Sequence, residues 1–327
     1  MNIAIIGATG LVGRTMLRVL EQRDTPVNHL VLAASARSAG TMIDVRDKPT
    51  VVRELSPDVF DGIDYALFSA GGNVSREFAP IAASRGCVVI DNSSAWRMDP
   101  NVPLVVPEVN PDDAFTHRGV IANPNCSTIQ LVVALKPLAD AFGLRRVVVS
   151  TYQSPSGAGQ TGIDQMNAEL GGRQPVQRIS PHQIAGNTVF HNIDNVDASS
   201  EEEIKVMRET RRILHNDHLP LAVTCVRVPV IGGHGESVAI ETVQPCPPDA
   251  VRQVLASSPG VVVLDDPANA VYPTTVGSNE MDSVYVGRIR PDTSVDNGVM
   301  LWVVADNLRK GAATNAIQIL ELLEAHR

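Results

Sequence analysis

Asn2-Ile3-Ala4-Ile5-Ile6-Gly7-Ala8-Thr9-Gly10-Leu11-Val12-Gly13 is the stretch whose reading decides the fold. Its first five residues are nearly all apolar, which predicts a strand buried on both faces, as in a parallel sheet. Glycines at GxxGxxG spacing follow, then a helical pattern through Leu20. Strand, glycine turn and helix are the context a dinucleotide site needs. Glycines let the backbone approach a pyrophosphate resting on the helix N-terminus. The spacing is not GxGxxG, so a turn that serves only tight packing is the alternative.

Working outward, His29 to Ala34 reads as a second strand and ends in Ser35-Ala36-Arg37-Ser38. A site for NAD usually has an acid near this strand end to hold the ribose hydroxyls; none is present here. An arginine between serines suits a 2′-phosphate, so NADP is the expected cofactor; a solvated loop arginine is the other reading. Strand patterns recur at Asp64–Ala70 and Cys87–Asp91, with a helix over Asn73–Ser84 between them. This alternation predicts a doubly wound sheet with ligands at the strand carboxyl ends. Arg97 lies just beyond one such end, suited either to a phosphate or carboxylate or to covering Trp96.

A strand-like Gly119–Ala122 runs into Asn123-Pro124-Asn125-Cys126-Ser127-Thr128, and a long apolar helical stretch leaves it. Pro124 breaks regular structure and the hydroxyls suit a helix start, so Cys126 is expected at a helix entrance. Amide N–H groups and the helix dipole favour negative charge there, whether a thiolate or an oxyanion on a group bound to the sulfur. A small buried apolar cysteine is the alternative.

The second half reads as strands at Leu144–Gln153, Leu221–Pro229, Val238–Val243, Val261–Leu264, Val284–Ile289 and Gly298–Ala305. A mixed or antiparallel sheet with helices is expected. Gln153-Ser154-Pro155-Ser156-Gly157-Ala158-Gly159 is a second glycine-rich loop, fit to cover a nicotinamide or to be a plain loop. Gly171–Asp197 lacks periodicity, and His182 and His191 within it read as surface or interface residues. Ser199 and Ser200 cap a helix in which Glu202 and Lys205 share a face, by default a surface ion pair. Arg227 sits amid apolar neighbours and wants an anionic partner. His234, flanked by Gly232, Gly233 and Gly235, is placed to work as acid and base or to be a turn histidine in water. A terminal amphipathic helix through Leu323 is expected to return to the first domain.

The chain has 327 residues, suited to two domains, with ordinary composition for a soluble protein. A net charge of −9 does not suggest nucleic-acid binding. Cys87, Cys126, Cys225 and Cys246 form no CxxC pair and no zinc spacing, so no metal and a reducing compartment are expected. No apolar run spans a bilayer and no signal sequence is seen, so a cytoplasmic protein without membrane partners is expected.

Taken together, these motifs resemble those of the aspartate-semialdehyde dehydrogenase family, bacterial NADP-dependent branch, over essentially the whole length. The cysteine motif and Arg227-Val228-Pro229 through Gly232-Gly233-His234 are the most specific, supported by Glu202-Glu203-Ile204-Lys205 and both glycine loops. The resemblance implies an α/β fold: a Rossmann-like NADP-binding domain over 1–125 with 306–327, and an α+β catalytic and dimerisation domain with a mixed sheet over 126–305. It implies reductive dephosphorylation of L-4-aspartyl phosphate to L-aspartate 4-semialdehyde through a Cys126 thioester, in the route to lysine and diaminopimelate, threonine, methionine and isoleucine. His234 would move protons and Gln153 would contact the acyl group. Arg227 would clamp the substrate carboxylate and Glu202 its ammonium, while Arg97, Asn125 and Lys205 would bind phosphate. Gly7, Thr9, Gly10, Leu11, Val12, Gly13, Arg37, Ser38, Ser156, Gly157 and Asn307 would hold NADP. A homodimer is implied. Phe190-His191-Asn192 departs from the more apolar segment expected there. The alternatives are a related acyl reductase acting on N-acetylglutamyl phosphate or malonyl-CoA, and a non-catalytic nucleotide-binding homologue.

Overall fold

The computed structural model describes residues 1–193 and 197–326. Two compact units are present: Met1–Asn125 with Ala312–Arg327, and Cys126–Gly311. Residue 327 and residues 194–196 of the unpatterned Gly171–Asp197 segment lie outside the described residues.

The first unit is built on β1 (Asn2–Ile6), β2 (His29–Ala34), β3 (Met42–Val45), β4 (Lys48–Glu54), β5 (Tyr65–Phe68), β6 (Val88–Asp91) and β7 (Val120–Ala122). Their order is β3-β4-β2-β1-β5-β6-β7, parallel throughout except for the β3–β4 hairpin. The hairpin was not expected: its residues alternate polar and apolar weakly and end in the Arg46-Asp47 turn, where both residues have positive φ. Apolar β1 has neighbours on both sides, and the chain winds away from it in both directions. The topological switch therefore falls at the carboxyl end of β1, where doubly wound sheets bind ligands. Ile3, Ile5, Leu32, Leu67 and Ile90 pack with Met16 and Leu20 of α1 (Leu11–Gln22) and with Ile317 and Leu320 of the helix Thr314–Glu324. Full burial contributes about 1.5–3 kcal/mol for each such side chain.

The second unit carries β8 (Leu144–Gln153), β9 (Val189–Phe190), β10 (Leu221–Arg227), β11 (His234–Thr242), β12 (Val261–Val263), β13 (Val284–Asp292) and β14 (Gly298–Ala305). The sheet is mixed, in the order β12-β13-β14-β11-β8-β10-β9. Helices α2 (Cys126–Phe142) and α3 (Glu201–Ile213) pack on it and on each other. Two strand expectations need correcting. Strand β10 stops at Arg227, before Pro229, because proline cannot donate to the ladder. Strand β11 begins at His234, so this histidine is paired in the sheet and fully buried, not a turn residue in water. Cys87, Cys225 and Cys246 are buried thiols. Cys246 sits in a loop, with its Sγ 3.5 Å from the Asn297 carbonyl. Among the described residues no helix is long and apolar enough to cross a membrane, and no cluster of three or more His, Cys, Asp or Glu side chains could hold a metal.

Candidate active site

In the first unit, β1 ends in Gly7, whose φ of +85° belongs to the left-handed region. A Cβ on Gly7 would stand 2.5 Å from the Ser69 carbonyl oxygen, and one on Gly13 would stand 2.3 Å from the Gly7 carbonyl oxygen. Both positions therefore exclude a side chain, and the backbone is bare at each of them. Gly10 caps α1 without a side-chain hydrogen bond, and no acid lies in the first turn. Such a helix start has amide donors to offer an anion. Thr9, Leu11 and Val12 belong to the same turn and first helical residues. Arg37 is exposed on the short turn Ala36–Ser38 that follows β2. The parallel register adds Glu54 of β4 opposite Ala34, an acid that β2 itself lacks. Arg97 is buried; its Nε donates to the Asn123 carbonyl at 3.0 Å and its Nη2 to the Asn92 carbonyl at 2.9 Å. The indole of Trp96 donates to Ser75 Oγ at 2.8 Å. Asn125 is buried at the end of this unit.

In the second unit, register assembles what the chain separates. Gln153 at the end of β8 pairs with Arg227 at the end of β10 on one side and with His234 at the start of β11 on the other. The three form one row across three adjacent strands. Helices supply the next layer. Cys126 is the first residue of α2 and is half-buried. Its neighbour Ser127 accepts from Gln153 Nε2 at 3.0 Å, and the same amide nitrogen meets Thr151 Oγ1 at 3.2 Å and Glu202 Oε1 of α3 at 3.3 Å. Three acceptors around Nε2 fix which way the Gln153 amide faces.

His234 Nδ1 lies 3.1 Å from the Ser154 N–H and 3.0 Å from the Gly233 carbonyl oxygen, so one ring nitrogen faces a donor and an acceptor. Its Nε2 is buried without a partner among the described residues. A Cβ on Gly157 would reach 3.2 Å from that Nε2 and 3.5 Å from Arg227 Nη1, so glycine keeps open the space both groups face. Burial, with the Arg227 charge adding to it, pushes the His234 pKa down to about 4. Glu236 lies two residues on, fully buried against Gln130, and burial raises its pKa well above the usual carboxylate range. Arg227 Nη1 donates to the Ser154 carbonyl at 3.3 Å, and the largest anionic influence on it is Glu202.

Ser156 and Asn307, far apart in sequence, meet: Asn307 Nδ2 donates to Ser156 Oγ at 3.1 Å. Lys205 pairs with Glu201 at 2.9 Å. That pair is exposed, and such pairs contribute little. The expectation for His191 needs correction. Its ring is half-buried with Nδ1 3.4 Å from Arg227 Nη2, because β9 pairs antiparallel with β10, Val189 opposite Arg227. A two-residue strand in a segment without periodicity leaves no pattern to read. Burial, and then the Arg227 charge, push the His191 pKa down to about 4. His182 is exposed.

The family described as "Semialdehyde dehydrogenase, NAD binding domain" matches residues 2–117, and "Semialdehyde dehydrogenase, dimerisation domain" matches residues 135–310. These matches define a semialdehyde dehydrogenase with a nicotinamide-dinucleotide-binding domain. Aspartate-semialdehyde dehydrogenase of Aquifex aeolicus is 52% identical, with 98% of this chain and 97% of that protein covered. Aspartate semialdehyde dehydrogenase II from Vibrio cholerae, solved in complex with ASA, matches at a TM-score of 0.95 and 45% identity over 99% of this chain and 98% of its own. The enzyme from Candida albicans, solved with NADP, matches at a TM-score of 0.76 and 26% identity, over 99% and 98% of the two chains. The chain belongs to the aspartate-semialdehyde dehydrogenase family of oxidoreductases.

Proposed function

We propose that this enzyme reduces L-4-aspartyl phosphate to L-aspartate 4-semialdehyde with NADPH, reversibly, through a thioester on Cys126. It would thereby feed the route to lysine and diaminopimelate, threonine, methionine and isoleucine. The observation that carries this reading is the row Arg227–Gln153–His234 across the sheet, tied to the helix start of Cys126 by the Gln153–Ser127 hydrogen bond.

The Cys126 thiolate attacks the acyl carbon, the tetrahedral oxyanion collapses, and phosphate leaves with the electron pair of the broken C–O bond. Dividing the reaction through a covalent intermediate replaces one hard step by two easier ones. The nicotinamide, when bound, supplies the hydride that reduces the thioester. Collapse of the resulting hemithioacetal releases the aldehyde and returns the thiolate. His234 gives the hemithioacetal oxygen its proton and recovers it. With its proton on Nδ1, bonded to Gly233 O at 3.0 Å, Nε2 is a base; the ring protonated at both nitrogens, Nδ1 still bonded to Gly233 O, is the acid that returns the proton. Gln153 orients the acyl group. Glu202 holds the substrate ammonium and Arg227 the carboxylate. Lys205, Arg97 and Asn125 are proposed phosphate ligands.

The bare backbone at Gly7 and Gly13, with the uncapped start of α1, fits a pyrophosphate. Thr9, Gly10, Leu11 and Val12 complete that cradle, Arg37 and Ser38 take the 2′-phosphate, and Ser156, Gly157 and Asn307 border the nicotinamide. Partner binding is proposed through the dimerisation domain, whose sheet leaves Tyr152, Tyr272 and Trp302 around an apolar cavity of about 740 Å³. The deciding assay is phosphate-dependent NADP reduction with aspartate semialdehyde. Activity only with an N-acylated or thioester-linked substrate, or none at all, overturns the reading.

Arg37→Ala is expected to weaken NADP binding at least several-fold and to leave NAD binding nearly unchanged, because charge-assisted hydrogen bonds are roughly twice as strong as neutral ones. Titration of both cofactors checks this; equal losses would mean that Arg37 only supports its turn. Arg227→Lys is expected to raise KM for the semialdehyde by about 10- to 100-fold, the scale of a lost hydrogen bond to a charged group. An effect confined to phosphate would move Arg227 to the phosphate subsite.

A further inference from the structure

The substrate cluster contains a buried donor that no proposed role uses. His191, the residue after edge strand β9, lies beside Arg227 at the end of β10. Arginine can only donate, so its Nη2, 3.4 Å from His191 Nδ1, makes that nitrogen the acceptor. The proton of the neutral ring is then on Nε2. That Nε2 is buried and has no hydrogen-bond partner among the described residues. A buried N–H is costly to leave unpaired, and the ring stays neutral because burial and the Arg227 charge both oppose a second proton.

We propose that His191 is a substrate-binding residue whose Nε2–H donates to the α-carboxylate held by Arg227, so that the carboxylate is read by a guanidinium and a neutral imidazole together. The inference rests on the assignment of Arg227 to the carboxylate. It explains the geometry in two ways. The acceptor role of Nδ1 fixes the ring's tautomer and steadies the guanidinium. The donor left over matches the one substrate group that carries two oxygens with several lone pairs. A neutral donor also leaves the charge balance of the site to Arg227 and Glu202, so a zwitterion is favoured over a dianion.

The test uses the whole enzyme with His191→Phe, which keeps the ring volume and removes both nitrogens, and His191→Gln, which keeps an acceptor and a donor. Steady-state kinetics are measured with aspartate semialdehyde, with succinic semialdehyde (carboxylate kept, ammonium lost) and with 3-aminopropanal (ammonium kept, carboxylate lost). His191→Phe is expected to raise KM about 10-fold for both carboxylate substrates. It should leave kcat, KM for phosphate and the 3-aminopropanal kinetics unchanged, and His191→Gln should recover most of the loss. ¹⁵N resonances of the His191 ring, assigned by their absence in His191→Phe, should show an Nε2–H tautomer that shifts when succinic semialdehyde binds. An equal loss with 3-aminopropanal overturns the inference. So does an unchanged KM in His191→Phe when Arg227→Lys raises it, which would leave His191 no part in holding the carboxylate. Unchanged KM in both variants would instead remove the carboxylate assignment of Arg227 itself.

Discussion

Cys126→Ala is expected to fold, to bind NADP as the wild type does, and to lose turnover on the order of 10⁶-fold, the scale seen when a covalent nucleophile is removed. The side chain is small and half-buried at the first residue of α2, so its truncation leaves little cavity and the helix start intact. The other thiols cannot replace it. Cys87 is buried, with burial pushing its pKa up to about 12, and burial raises Cys225 further still. Intact-mass and peptide analysis of the wild type after mixing with aspartyl phosphate should place an acyl adduct on the peptide holding Cys126. An adduct on another peptide, or an alanine variant with wild-type kcat, would falsify the thioester route.

His234→Asn is expected to lower kcat by about 10²–10⁴-fold with a much smaller change in KM, since positioned proton transfer contributes on that scale. Asparagine can keep a hydrogen bond to the Ser154 N–H or the Gly233 carbonyl but cannot shuttle a proton. The pH profile gives a second readout. His234 is neutral above a pKa of about 4, because burial disfavours the imidazolium and Arg227 opposes it further. The base is therefore present at pH 6.5 and is lost only as pH falls through about 4. The acidic limb of kcat/KM due to this group should lie there, well below the ordinary histidine value, and should vanish in the variant. A limb near 6.5 that survives in His234→Asn would assign it to another group and return His234 to a structural role.

Much of this molecule is written locally. The apolar run Ile3–Ile6 followed by Gly7 and Gly13 predicts strand, turn and helix because each needs only near neighbours in the chain: a two-sided burial pattern, a positive φ, and a Cβ that would strike the adjacent turn. Cys126 at a helix start is legible for the same reason, since Pro124 and the following hydroxyls are local breaking and starting signals. Fold class and the candidate nucleophile follow from such features, and the family motifs add the remaining site residues by resemblance. Other features depend on register between segments far apart in sequence. Strand pairing sets Gln153 between Arg227 and His234, begins β11 at the histidine itself, and brings Val189–Phe190 to the sheet edge so that His191 meets Arg227. Lys205 takes Glu201, four residues earlier on α3. The sequence by itself determined the elements and the chemistry they carry. Tertiary structure decided which buried donors and acceptors face one another, because a hydrogen bond across a sheet depends on the partner strand's register, and no single segment encodes that.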